Sequence, residues 1–597
     1  MKSPIFPIVP IVLSALVLTA CPSTPPTPEA PPLPEVRIKE IQDLTSSGSF
    51  LQSLQEISWL RREKEGEVPA ADLDTLQTGA VNALSSAFMK AVDEKKYGDA
   101  LRYFNSAAAM GMPSITGAWT ERSILGNRAE SEHASGNDVV ALVDRLQAVS
   151  LPGSTPEDVS AAYDVAARLG NRAVVRHLID VMKKRGMAVP AAAASMTDAA
   201  PSFPQMLTGT VTILVDRGIR VQNGVGYPDQ IIGSGFFIDS RGYILTNHHV
   251  IKSEVDPKDK GYSRLYIRLS ESPAGERIPA KVIGYDPIFD LALIKTELTA
   301  AFTFGGFGAE TVAPGERIYA IGSPAGLEKT ITSGIVSAMG RHLLQMGDVM
   351  QVDVPLNPGN SGGPLLNEKG DLVGVGFAGL EQFQGLNFAV PYRWIEKVIP
   401  ALYNGGEAVH PWLGIALAET DKGLEVVYSV PGEPGAQAGI KAGDVIDTVD
   451  GEHFAKIQEV QEALLAHSPP TLVRVAFHRG TKALEGVLCL ASRPERPIEV
   501  ALKRDTRDNV LYPLFGMKLE KVGSFFWSND YVVRRVTRGS VADQSGLSEN
   551  DPLSIQDWKV DTDKGFAALL LVIKKRKAGF IESAVQIAAD LETDNFI

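Results

Sequence analysis

The stretch that decides the fold is Asn357-Pro358-Gly359-Asn360-Ser361-Gly362-Gly363-Pro364. Gly359, Gly362 and Gly363 allow the backbone to bend tightly around Ser361 and to expose its Oγ. They also let the N–H groups of Gly359 and Ser361 point the same way, as donors to a developing oxyanion must. A serine so placed is explained if its hydroxyl attacks a carbonyl. Taken alone, the octet also reads as a plain Pro/Gly/Asn turn between two strands. The choice turns on whether a base and an orienting acid stand elsewhere in the chain.

Upstream, from about residue 206 to 400, the pattern is of short β-type runs. Val211, Ile213 and Val215 alternate, and Phe236-Phe237-Ile238 precedes the turn Asp239-Ser240-Arg241-Gly242 and the run Tyr243-Ile244-Leu245-Thr246. Strands with glycine-rich turns continue to Val390, which predicts an all-β barrel or sandwich. Thr246-Asn247-His248-His249-Val250 supplies histidine, the usual general base near neutral pH. If this end is extended, the two histidines point to opposite faces and at most one meets the serine. Asp286-Pro287-Ile288-Phe289-Asp290 enters the apolar strand Leu291-Ala292-Leu293-Ile294, a place for a half-buried acid that orients an imidazole.

His, Asp and Ser in that order on a β-rich scaffold is the order of chymotrypsin-type enzymes. Further motifs follow in register: Gly233-Ser234-Gly235-Phe236-Phe237-Ile238, Asp290-Leu291-Ala292-Leu293-Ile294-Lys295, Ile321-Gly322-Ser323-Pro324, Thr332-Ser333-Gly334-Ile335-Val336-Ser337 and Gly385-Leu386-Asn387-Phe388-Ala389-Val390-Pro391. With the octet and the histidine motif they make this region resemble the HtrA (Do-like) serine proteases over about 190 residues. The resemblance implies a base directly before Val250, namely His249, with His248 a neighbour. It implies Asp290 as the acid, Asp286 being a distant second choice, and Ser361 as nucleophile. His249 would take the Ser361 proton, Asp290 would stabilise the imidazolium, and the N–H groups of Gly359 and Ser361 would receive the oxyanion of an acyl-transfer reaction. Relatives commonly trimerise through this domain, so a homo-oligomer is expected, although the loop after Val215 reads as short.

Asn360, before the nucleophile, is neutral and cannot pair with a freed N-terminal ammonium. Activation is therefore expected from ordering of loops, with Pro324 to Ser333 and His342 to Asp353 the candidates. The segments expected to line the specificity pocket, Gly374 to Gly379 and Asn387 to Val390, contain no acid, and a buried unpaired Lys or Arg there would be costly. Cleavage after small or medium apolar residues is expected.

Downstream, His410-Pro411-Trp412-Leu413-Gly414-Ile415, Gly423-Leu424-Glu425-Val426 and Pro434-Gly435-Ala436-Gln437-Ala438-Gly439-Ile440-Lys441-Ala442-Gly443-Asp444 resemble a PDZ domain of the HtrA type. In that reading the loop of Trp412, Leu413, Gly414 and Ile415 holds a peptide C-terminus by its backbone N–H groups while the peptide adds to a sheet edge. An ordinary Gly-rich β domain is the plainer reading. A degenerate copy follows, with Leu514-Phe515-Gly516-Met517 and Gly539-Ser540-Val541-Ala542-Asp543-Gln544-Ser545-Gly546-Leu547; Asn550-Asp551-Pro552 replaces the usual Gly-Asp pair. That departure bears on peptide binding by the copy more than on its fold.

At the other end, Lys2 precedes an apolar run from Ile5 to Ala20, broken by Pro7 and Pro10, which reads as an export signal and not as a transmembrane helix. Leu18-Thr19-Ala20-Cys21 resembles a bacterial lipobox, which implies cleavage before Cys21 and its lipidation; a plain secretory signal is the alternative. Seven prolines between Pro22 and Pro34 predict an extended stalk. Helical spacing then appears. Ala100, Leu101, Phe104, Ala107 and Ala108 share a face, with Gly111 and Pro113 as stops. Thr155-Pro156-Glu157-Asp158 opens a helix that ends at Leu169-Gly170, and another carries Val174 to Met182 before Lys183, Lys184 and Arg185. The region loosely resembles tetratricopeptide-type hairpins without a clean repeat, so both a peptide-binding module and a helical spacer stay open.

The expected plan is a signal over 1–20, a lipidated cysteine and stalk over 21–37, an N-terminal all-α module over 38–186 and a linker over 187–205. A chymotrypsin-like double β-barrel protease domain over 206–403 and two C-terminal PDZ-like α+β domains over 407–495 and 508–597 complete it. A net charge of −13 without a basic stripe argues against nucleic acid. Cys21 and Cys489 are the only cysteines, too few for a disulfide framework or a cysteine zinc site, and no phosphate-cradling glycine loop followed by Lys occurs. No cofactor or metal is expected. The leading expectation is an ATP-independent, membrane-anchored and periplasm-facing envelope protease for unfolded polypeptides; the alternative is a chaperone or scaffold with latent or secondary cleavage.

Overall fold

The computed structural model describes residues 34–597 apart from 192, 198–199, 260, 270–275, 310–311, 324–329, 380–385, 523–529 and 577–579. The expected export signal, Cys21 and nearly all of the stalk lie outside the described residues, as does most of the Pro324 candidate loop. No described helix is long and apolar enough to cross a membrane.

The first helix, Pro34–Ser46, begins inside the stretch read as stalk, because Pro34 is tolerated at a first helical position. Helices succeed one another as antiparallel neighbours from Phe50–Glu63 and Ala70–Asp93 to Arg172–Lys184. Local signals were sufficient at several ends. Tyr97–Ala109 stops before Gly111. Pro156–Leu169 starts on a Thr155–Asp158 capping box and ends on Gly170 at φ +67°, a left-handed cap that glycine adopts freely. The expected linker contains two short helices, Ala193–Thr197 and Phe203–Thr208.

The central β region has two halves. An eight-stranded sheet runs, edge to edge, through Gly406–Glu407, Lys281–Asp286, Leu291–Lys295, Tyr243–Thr246, Val225–Asp239, Thr210–Gln222, Arg264–Leu269 and Ile278–Pro279. Its interior packs Val211, Ile213, Val215, Phe237, Ile244, Ile267 and Ile294. The second half is a closed barrel of Val349–Val352, Asn387–Pro391, Leu372–Gly379, Pro364–Asn367, Arg317–Gly322 and Thr330–Arg341. After Val215 the chain does not simply turn: the hairpin of Thr210–Gln222 with Val225–Asp239 continues to a two-residue tip at Asn223-Gly224, with Ile219 and Val221 exposed.

Two five-stranded sheets complete the chain, in the order Ile415–Thr420, Gly423–Ser429, Val445–Val449, Leu472–Arg479, Lys482–Cys489 and then Met517–Lys521, Asp530–Val536, Pro552–Asp561, Phe566–Arg576, Phe580–Asp590. The first carries the helix Ile457–Leu464 between its third and fourth strands. In the second the corresponding strands are joined by residues 562–565 alone, so the wall of a peptide groove is missing there. The turn spelled Asn550-Asp551 nevertheless repeats that of Gly443-Asp444. Asn550 takes φ +67° and donates its N–H to Val533 O, as Gly443 does to Val426 O. Asparagine tolerates that left-handed conformation, so the departure leaves the fold intact.

The helical region packs against both the first five-stranded sheet and the central β region. Phe50, Leu51 and Leu54 share a core with Leu472, Val487 and Cys489, so the helix Phe50–Glu63 covers the outer strand Lys482–Cys489. Asn171 Nδ2 donates to Gly306 O at 2.9 Å and Thr303 Oγ1 to Leu169 O at 3.1 Å, which fastens the same region to the central β region.

Candidate active site

Thr246 ends a central strand of the first half, and Asn247 is extended; His248–Val255 is then a helix. The two histidines therefore do not alternate across a strand, as the sequence reading expected. The cause is tertiary: Asp290 caps the new helix from the neighbouring segment. Its Oδ1 accepts the His249 N–H at 2.8 Å, and its carbonyl accepts the His248 N–H at 3.1 Å and Asn247 Nδ2 at 2.8 Å. Asp290 itself sits at φ +52°, a left-handed conformation that aspartate tolerates.

The same carboxylate orients the imidazole. Asp290 Oδ2 lies 2.7 Å from His249 Nδ1, with the Asp290 side chain 16% exposed and that of His249 45% exposed. An acceptor at Nδ1 leaves Nε2 as the free base in the neutral tautomer. His248 is turned away and stacks on Tyr285 with ring centroids 5.4 Å apart; burial lowers its pKa below the usual histidine value. Asp286 is fully buried and otherwise engaged. It lies 2.9 Å from His410 Nε2 and accepts the N–H groups of Ile288 and Phe289.

Ser361 comes from the loop between Val349–Val352 and Pro364–Asn367, in the second half. Gly359 is at φ +103° and Gly362 at φ +84°, conformations that put almost any other residue under strain. Among the described residues no acceptor is bonded to the N–H of Gly359 or of Ser361, whereas Asn360, Gly362 and Gly363 all donate within the protein. The Ser361 hydroxyl donates to Phe377 O at 3.3 Å, and no hydrogen bond joins it to His249. Asn360 is buried, and its Oδ1 has no hydrogen-bond partner among the described residues.

One residue that the sequence reading quoted only as part of a motif holds the two halves together at this loop. Ser234 N–H donates to Ser361 O at 2.8 Å, and its Oγ donates to Gly359 O at 2.6 Å. The same Oγ accepts the Ser323 N–H at 3.0 Å, and Ser234 O accepts Thr246 Oγ1 at 2.7 Å. The small flanking residues Gly233 and Gly235 were the available signal, since such close approach leaves no room for side chains.

In the expected peptide-binding loop, Trp412, Leu413 and Ile415 are buried, and Gly414 takes φ +75°. Trp412 Nε1 donates to Glu433 Oε2 at 2.8 Å. No group of three or more His, Cys, Asp or Glu side chains among the described residues forms a metal-binding cluster.

A family model described as a trypsin-like peptidase domain matches residues 233–375, which contain Ser234, His249, Asp290 and Ser361, and the chain is accordingly a serine endopeptidase. A PDZ domain model matches residues 411–489, a TP0546 family PDZ domain model residues 498–591, and a domain of unknown function (DUF8517) residues 34–125. A probable periplasmic serine endoprotease DegP-like from Pseudomonas fulva is 37% identical over 373 residues, covering 58% of this chain and 75% of that protein. The protein of the same description from Chlamydia trachomatis serovar D is 28% identical over 390 residues, 62% of this chain and 72% of its own length. The chain belongs to the HtrA (DegP-like) family of serine endoproteases. Among solved structures, a serine endoprotease from Yersinia pestis is 28% identical, with 49% of this chain and 99% of that one covered at a TM-score of 0.39.

Proposed function

We propose that the chain cleaves unfolded or misfolded polypeptides of the cell envelope through a Ser361–His249–Asp290 triad and an acyl-enzyme. The observation that carries the reading is the 2.7 Å contact between Asp290 Oδ2 and His249 Nδ1 on a helix that Asp290 also caps. His249 Nε2 takes the Ser361 proton as Oγ attacks the peptide carbonyl, and Asp290 stabilises the imidazolium. The N–H groups of Gly359 and Ser361, which have no partner among the described residues, receive the oxyanion. His249 then protonates the leaving amine, and water releases the acyl group by the reverse path. The acid-free segments beside the nucleophile support cleavage after small or medium apolar residues.

The resting position of Ser361 Oγ on the Phe377 carbonyl favours a latent enzyme, in which the nucleophile swings to His249 only when substrate or a loop movement draws it away. The backbone N–H groups of the Trp412-to-Ile415 loop bind an extended peptide end, and Cys21 carries a lipid that anchors the chain facing the periplasm. Hydrolysis of reduced casein by the wild type and not by Ser361→Ala tests the central claim. Equal suppression of aggregation by both proteins with no cleavage by either would replace it with the chaperone reading. Persistence of Cys21→Ala in the membrane fraction would remove the anchor.

A further inference from the structure

The groove of the first PDZ domain contains a strand that does not belong to that domain. Residues 594–597 run antiparallel to the edge strand Ile415–Thr420, with Phe596 paired to Ala416. Ile597 N–H donates to Ile415 O at 2.9 Å, and Leu417 N–H donates to Asn595 O at 2.9 Å. At the loop itself, Gly414 N–H and Ile415 N–H both donate to Ile597 O, at 2.9 and 3.4 Å.

The side chains alternate as those of an added strand must. Ile597, 1% exposed, enters the domain core with Leu413, Ile415, Leu417, Val460 and Leu464. Phe596, 0% exposed, faces the other way and stacks on Trp412 at 5.7 Å, within the core that joins the two PDZ folds. Behind them, Asn595 Nδ2 donates to Pro513 O at 3.0 Å. Asp594 pairs with His342 at 2.7 Å, in a segment of the protease domain that was a candidate for activation. Gln461, on the helix that walls the groove, donates to Asp594 O at 3.0 Å and accepts the Gly347 N–H at 2.8 Å.

We infer that the segment Asp594–Ile597 is the resident ligand of the first PDZ groove, bound in cis, so that another peptide enters only by displacing it. The inference rests on the proposal that the Trp412-to-Ile415 loop binds peptides. The groove selects a branched apolar residue in the deep pocket and an aromatic residue on Trp412. A polypeptide exposing that pair after unfolding is the class of ligand that competes. Because the segment is tethered, it acts at an effective concentration of about a millimolar. A competitor in trans must overcome that occupancy.

The test measures binding of a fluorescein-labelled peptide, Glu-Thr-Asp-Asn-Phe-Ile, to the full chain, to the full chain lacking residues 594–597, and to Phe596→Ala. With a groove affinity near ten micromolar, the deletion variant should bind about a hundredfold more tightly than the wild type, with Phe596→Ala in between. Equal binding by wild type and deletion variant would overturn occupancy in cis while leaving the groove as a peptide site. Failure of the deletion variant to bind, with casein hydrolysis intact, would overturn the groove reading and the inference with it. If the deletion does not fold, Phe596→Ala carries the test, and an affinity no higher than that of wild type overturns the inference.

Discussion

Ser234 stands where the two halves of the protease domain touch, with no exposed surface and its Oγ shared between Gly359 O and Ser323 N–H. Ser234→Ala leaves both groups buried without that partner, a cost of about 1–3 kcal/mol. Because the Gly359 carbonyl belongs to the peptide beside the proposed oxyanion donors, the expected loss extends to turnover. We expect a lower urea midpoint and a kcat reduced by more than tenfold, short of the roughly 100- to 1000-fold that accompanies loss of an oxyanion donor. Unchanged kcat in a folded variant would remove Ser234 from the positioning of the loop. Asp290→Asn presents an amide to His249 Nδ1 and disfavours the productive tautomer. A fall in kcat of about ten thousandfold is expected with little change in KM.

At the scale of elements, the added strand 594–597 and the protease segment around His342 are coupled by charge. The hydrogen bond that His342 donates to Asp594 raises the His342 pKa above its ordinary value, and the charges of Asp594, Asp348 and Glu419 act in the same direction against partial burial. A histidine whose pKa is raised on folding stabilises the folded state fully below its unfolded value of about 6.5 and loses that contribution as pH rises through the folded value. The link should therefore weaken above neutrality. The wild-type Tm should fall between about pH 6 and pH 8 by more than that of His342→Asn, and equal slopes would count against the coupling.

Much at this scale was legible. The octet, the His249 motif and Asp290 are each spelled locally, and the helix from Pro156 to Leu169 announces both of its ends. The helix starting at His248 was not legible, because the group that caps it belongs to Asp290, on another element. Nor was the occupied groove. Asp-Asn-Phe-Ile has no local signature, and its partner strand lies far away in sequence.

Over the whole molecule, the helical region acts as a brace and not as a free spacer. The sheet edge at Lys482–Cys489 would otherwise be open to pairing with another chain, and the helix Phe50–Glu63 covers it. Gln55, 3% exposed, is central to that contact: it accepts the Cys489 N–H at 2.5 Å and donates to Gln437 Oε1 at 3.0 Å. Burial pushes the Cys489 thiol up to about 12, so almost none is thiolate at neutral pH. Alkylation of Cys489 thus reports undocking of the brace. Gln55→Ala should accelerate labelling by iodoacetamide about five- to 150-fold in native buffer, as loss of about 1–3 kcal/mol from a buried N–H predicts. An unchanged labelling rate would show that the helices are held elsewhere. The sequence favoured a spacer over a binding module without excluding either, since the apolar faces of the helices do not say which surface they cover.

The first sheet of the protease domain is closed at one edge by Gly406–Glu407, which pairs in parallel with Gly284 and Tyr285, and His410 seals the buried Asp286 beside it. These residues emerge more than a hundred positions after the strand they complete. A chain threaded out from its N-terminus therefore exposes the half that carries His249 and Asp290 with an unfinished border until the second barrel has emerged behind it. The last edge of the half that carries His249 and Asp290 is thus supplied only after the nucleophile loop has left the ribosome, so the first sheet is completed late in synthesis.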